Sequence, residues 1–135
     1  MYLFKTSGNT LASVIGNNRH AFHIKPKNWT LGELVLISKN RSDCEPGEKQ
    51  IQYVAELETI DPIAPGEIAK YFPGHEGQWK YMIKFTKTIP LIKPFNLDEF
   101  LGMEAKPYRF VQTFKKIQSD HEKIILAFLK QTQRT

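Results

Sequence analysis

The side chains that most often carry chemistry are all present in this chain, but their spacing does not assemble a reaction. His20 and His23 stand three residues apart, and Cys44, His75 and His121 add neither a Cys-x-x-Cys nor a His-Glu-x-x-His pattern, so no zinc site is expected. Serine, cysteine and histidine occur without a nucleophile elbow or a Cys–His signature. There is no Walker A loop and no dinucleotide fingerprint, and Gly16-Asn17-Asn18 is not a phosphate loop. No metal, no cofactor and no catalytic residue is therefore assigned. What remains is binding chemistry, in which flat rings stand beside polar groups and cations. Phe22 lies between His20 and His23, Tyr71 precedes Phe72, and Trp79 follows the run Pro73-Gly74-His75-Glu76-Gly77. A ring at such a strand–loop junction can stand at a pocket rim, or it can be core or edge packing.

Charge is distributed unevenly. The net charge is +5, with six Lys/Arg and one acid in residues 1–41, two and eight in 42–76, and eleven and five in 77–135. A fold that gathers both ends on one face would present a basic surface to a polyanion. The alternative is a scattered, solvated surface.

A length of 135 residues suits one domain, and 41% hydrophobic with 24% charged residues suits a soluble core-forming chain. No run approaches the roughly 18 apolar residues of a membrane span. Met1-Tyr2-Leu3-Phe4-Lys5 lacks the pattern of a signal peptide. A single cysteine, Cys44, points to a reducing compartment, and a cytoplasmic location is expected. The polar ending 130–135 is compatible with a domain cut from a longer protein.

The elements that must position these residues can be read from periodicity. Residues 2–6 read as a strand and 9–15 as a short helix, capped by Ser7 or Asn9 and stopped at Gly16. Residues 20–25 alternate like a short strand, and Trp29 is expected to tuck into the core. Residues 33–39, 50–60 and 79–89 are the three clearest strands and should be neighbours in a curved sheet. A turn at Pro46-Gly47 lies between the first two. Residues 65–72 suit a short helix, and Asn96-Leu97-Asp98-Glu99 starts another that ends at Gly102. Residues 107–113 read as a last strand. Ser119-Asp120-His121-Glu122 has the spacing of a capping box before a helix to residue 130, with Ile124, Ile125, Phe128 and Leu129 on its apolar face. The fold class expected is a small α+β barrel or curved sheet flanked by short helices.

The order of these patterns resembles the PUA-like domains, and within them the YTH and EVE domains. Phe4-Lys5-Thr6-Ser7 resembles the opening strand of a YTH domain, and Ala21-Phe22-His23 falls where the family has a Trp-bearing segment. Val35-Leu36-Ile37-Ser38-Lys39-Asn40 resembles the next strand, and Gln52-Tyr53-Val54-Ala55-Glu56-Leu57 the one after it. The variable loop with the family's cage aromatics corresponds to 60–78, leading into Trp79. Tyr81–Phe85, Ile89-Pro90-Leu91 and Phe95-Asn96-Leu97 resemble the following segment, and 110–117 the last. Related domains are the specificity modules of McrB-type modification-dependent restriction systems.

The resemblance implies a binding module that holds one flipped-out methylated base, 6-methyladenine by preference, in an aromatic cage. Phe22, Tyr71, Phe72 and Trp79 would be its walls, with Thr6, Ser7 and Asn9 reading the base edge and sugar. Lys5, Lys39, Arg41, Arg109, Lys115 and Lys116 would contact phosphate. Stacking on an aromatic ring is worth about 1–3 kcal/mol per base, and burying a methyl-sized group about 0.8 kcal/mol. Each assignment has a plain counterpart: Phe22 in the core, Ser7 or Asn9 as a helix cap, a lysine in solvent. DNA is favoured over RNA as partner, with a fused or associated NTPase or nuclease acting on what is bound, and with no membrane. The alternatives are a 5-methylcytosine reader, an ASCH-type RNA-binding or small hydrolytic protein, and an interaction domain whose aromatics are all core.

Overall fold

The computed structural model describes residues 1–132. Six strands run in the order β1 (Tyr2–Thr6), β2 (Arg19–Phe22), β3 (Leu34–Lys39), β4 (Ile51–Pro62), β5 (Tyr81–Phe95) and β6 (Phe114–Lys116). Five helices accompany them: α1 (Gly8–Asn17), α2 (Glu67–Tyr71), α3 (Asp98–Leu101), α4 (Lys106–Arg109) and α5 (Ser119–Thr132). The strands form one sheet in the order β2-β5-β4-β3-β1-β6. Among the described residues only the β1–β3 pair is parallel. The three strands expected as neighbours are neighbours, although β4 and β5 run further than their apolar stretches suggest. The sheet curls until its outer strands meet: Phe22 of β2 and Phe114 of β6 have ring centroids 5.2 Å apart. This is the small α+β curved sheet flanked by short helices that the sequence pattern implies.

Every residue of β1 is buried, and strand alternation divides its side chains between two cores. Tyr2 and Phe4 point into the curl, with Phe22, Val35, Ile37, Leu57, Phe72, Met82 and Phe85. Leu3 points the other way, with Leu36, Ile51, Phe95, Tyr108, Ile125 and Leu129, where the C-terminal helices cover the sheet. Trp29 packs against the first core, as expected.

Three local expectations are corrected. Residues 107–113 are not a strand. Pro107 sits in the first turn of α4, where its missing N–H costs nothing, and the last strand begins at Phe114. Helix α1 runs past Gly16 to Asn17 and ends on Asn18, whose φ of 51° supplies the left-handed cap. Helix α5 takes no box from Ser119, which is its first residue. Glu122 accepts instead from the N-terminal ammonium at 2.6 Å, and the buried face of the helix is His121, Ile125 and Leu129, with Ile124 exposed.

Candidate functional site

The second side chain that β1 sends to its outer face, after Leu3, is Lys5. Parallel pairing sets Lys5 beside Ser38 of β3, and the register of β4 sets Ile51 beside Ser38. Helices α3 and α4 close over this corner. Gly102, at φ 54° and ψ −124°, makes the break between α3 and the following turn, a conformation that suits glycine. The result is a small pit walled by Leu3, Ile51, Leu97, Ala105 and Tyr108, with Lys5, Ser38, Gln50, Asp98 and Arg109 as its polar lining. The pit opens into a groove of about 360 Å³ bordered by Asn40, Arg41, Arg109, Phe110 and Gln112. A third recess continues from Arg41 and Asp98 along the 44–49 loop.

Lys5 is 9% exposed, and among the described residues its ammonium has no hydrogen-bond or ion-pair partner. Burial pushes its pKa below the ordinary lysine value, and the nearby Asp98 carboxylate draws it partly back. Asp98 accepts from Arg109 Nε at 3.4 Å. Gln50 is held at both ends: its backbone N–H donates to Asn96 Oδ1 at 2.9 Å, and its side-chain amide donates to the Lys39 carbonyl at 3.3 Å. Its amide oxygen is left for the groove. The Tyr108 hydroxyl is committed elsewhere, 2.6 Å from His121 Nδ1 and accepting from the Gln118 N–H at 3.1 Å, so the pit meets its ring. Phe110 is 83% exposed on the groove border, a large apolar ring in solvent next to two guanidinium groups.

The phosphate candidates divide. Lys5, Arg41 and Arg109 share this groove. Lys39 is adjacent but pairs with Glu48 at 3.0 Å. Lys116, on β6, pairs with Glu33 and lies over the Tyr2 ring, and Lys115 is exposed on the same strand; neither lines the groove.

The base candidates lie on the opposite side of β1. Phe22 and Phe72 are buried, and with Trp79 they surround His20. His20 stacks on Phe22 at 4.3 Å, and its ring is 6.4 Å from Phe72 and 6.5 Å from Trp79. Phe4 and Phe114 complete the cluster, so the rings fill one another's space. Trp79 is half-buried and stacks on His75 at 4.9 Å. Tyr71 packs at the edge of this core, beneath the Arg19 guanidinium at 3.8 Å. Ser7 caps α1, accepting from the Thr10 N–H at 3.3 Å, and Asn9 is exposed in that helix's first turn. Thr6 is buried, and its hydroxyl is without a partner, as is His20 Nε2. Burial pushes the His20 pKa down to about 4, against the opposing pull of the Ala21 and Lys5 backbone.

Sequence reading missed Asp98, Gln50, Ser38 and Phe110 as groove residues. Of these Phe110 carries the clearest signal, since Arg109-Phe110 joins a cation to a ring, but the alternation of 107–113 reads as a strand. Among the described residues no cluster of three His, Cys, Asp or Glu could hold a metal ion, and no helix is long and apolar enough to cross a membrane.

No family model and no curated protein matches the chain. Solved structures do. The crystal structure of ASCH from Zymomonas mobilis superposes with a TM-score of 0.64 over 93% of this chain and 93% of that one, at 14% identity. A mutant of the same Zymomonas mobilis protein gives the same score and identity over 93% of this chain and 96% of its own. This likeness is one of fold.

Proposed function

We propose that this domain binds nucleic acid, laying a single-stranded or unstacked stretch in the groove above Lys5. The observation that carries the reading is Lys5 itself. A buried, unpaired ammonium is costly to a fold, and here it opens onto a groove flanked by Arg41 and Arg109. Guanidinium groups of this kind contact phosphate and set register, and the exposed ring of Phe110 offers a face on which a base can stack. The ASCH-like fold is compatible with this use. The test is titration of labelled single-stranded DNA and RNA at two salt concentrations. Affinity should fall steeply with salt through counterion release, and Arg41→Ala and Arg109→Ala should each flatten that slope. Salt-independent affinity overturns the reading.

A second reading places a methylated base, 6-methyladenine by preference, among Phe22, Phe72 and Trp79. Two buried unpartnered atoms in that region favour it, His20 Nε2 and Thr6 Oγ1, since a base edge could satisfy them if the half-buried Trp79 swung aside. In this reading the domain has no turnover of its own and marks DNA for a separate nuclease or NTPase, as McrB-type specificity modules do. Comparison of methylated with plain oligonucleotides tests it: a Trp79→Ala variant that stays folded and keeps the wild-type affinity ratio removes Trp79 as a wall. Release of an acyl group from an acylated nucleoside would instead favour the ASCH-type hydrolytic alternative.

A further inference from the structure

We infer that the pit beneath the groove takes the edge of a nucleobase rather than a phosphate, with Lys5 donating to a base carbonyl or ring nitrogen and Asp98 and Gln50 accepting from a base N–H. The inference rests on the nucleic-acid reading and specifies which part of the strand goes deepest.

The argument is one of charge and hydrogen-bonding sense. The polar lining of the pit is not uniformly basic. Lys5 supplies donors and no acceptor, whereas Asp98 supplies acceptors only and lines the pit and both adjoining recesses. Arg109 engages one Asp98 oxygen, at 3.4 Å. The Gln50 amide nitrogen is occupied by the Lys39 carbonyl, which leaves its oxygen, another acceptor, for an occupant. A phosphate drawn toward Lys5 would bring its own negative charge against the Asp98 carboxylate. A neutral planar edge that offers an acceptor next to an N–H donor, as every base edge used in pairing does, matches an ammonium beside a carboxylate without repulsion. Apart from Ser38 and Arg109 the remaining lining, Leu3, Ile51, Leu97, Ala105 and the Tyr108 ring, is apolar and suits the flat body of a ring more than a hydrated anion. Arg109 lines both the pit and the groove, with its Nε turned to Asp98, and Arg41 stands further out on the groove wall, placed to hold phosphate.

The two occupants make opposite demands on Asp98, and this gives the test. With a single-stranded oligonucleotide that binds the wild-type protein, Asp98→Asn should weaken binding, by about tenfold for loss of a charged hydrogen-bond acceptor. Tighter binding by this variant would mean that a phosphate occupies the pit and would overturn the inference. In a second measurement each nucleoside of the oligonucleotide is replaced in turn by an abasic spacer that keeps every phosphate. One position should lose at least about tenfold in affinity, and Lys5→Met, with thermal melting checked, should erase that positional difference. If no position depends on its base while Arg41→Ala still weakens binding, the base-edge inference falls and the nucleic-acid reading stands. If no oligonucleotide binds, both fall.

Discussion

The two sides of β1 are built from one strand and have opposite characters. On the inner side Tyr2 and Phe4 meet Phe22, Phe72, Phe85 and Phe114, and the rings consume one another's surface. On the outer side Leu3 joins an apolar core, but Lys5, two residues on, reaches a pit where no other protein group pairs with it among those described. Aromatic side chains are the usual sign of a base-binding cage, yet here most of them are mutually satisfied. The unsatisfied group that opens onto accessible space is a cation. A ring can complete its packing within the fold, whereas a buried ammonium needs a partner and shows where one is missing.

The sharpest way to break this contrast is to truncate one ring on each side. Phe22→Ala should cost about 3–5 kcal/mol of stability, as for a buried phenylalanine, read from the urea midpoint. Phe110→Ala should leave that midpoint within about 0.5 kcal/mol. If Phe22→Ala folds with wild-type stability, the inner cluster is not the core described above.

The next effect distinguishes the sides by pH. His20 titrates near 4 in the folded chain against an ordinary 6.5. Between those values the unfolded chain binds a proton that the folded chain refuses, so stability rises with pH across the window and is lost as pH falls through it. The full difference is about 3 kcal/mol, and His20→Phe should flatten it. Lys5 is shifted in the same direction from a much higher starting value. Its contribution therefore appears as a gain in stability when pH rises toward 10.5, and Lys5→Met should abolish that gain. Denaturant midpoints at pH 4.5, 7 and 10 separate the two regions, and slopes assigned to the wrong residue would undo the comparison.

Smaller effects sharpen it. Phe110→Ala should weaken single-strand binding by about 1–3 kcal/mol, the worth of one stacked base, while Tyr71→Ala should leave binding unchanged, as measured by fluorescence anisotropy. The reverse result would move the binding surface to the α2 side. Lys115→Ala, outside the groove, should change affinity least and by the same factor for methylated and plain strands.

Much of the sheet was legible in the sequence because its strands carry their own signals. Val35-Leu36-Ile37 is a buried run bounded by turns, and the alternation of β1 predicts its two faces. The groove was far less legible. Lys5, Ser38, Gln50 and Asp98 are separated by up to ninety-three positions and meet only through the parallel β1–β3 register and the fold-back of α3 and α4. No local period encodes such a meeting. Phe22 and Phe72 stand out in the sequence by type, and type alone does not say whether a ring faces a ligand or other rings. The misread segment 107–113 shows the same limit at short range. Tyr108 and Phe110 alternate like strand residues, but Pro107 starts a turn of helix that buries the first ring and exposes the second.

The alternation of β1 also has a consequence for how this protein could be altered. Even-numbered positions of the strand face the ring cluster, and odd-numbered positions face the helix-covered side, where the groove opens. A library varying Lys5, Ser38 and Gln50 would therefore reshape the groove while leaving Tyr2 and Phe4 in their places. Insertion or deletion of one residue within the strand would exchange the two sets at once, driving the amine among the rings and presenting phenylalanine to the groove. The groove lining is open to change by substitution and closed to change in length.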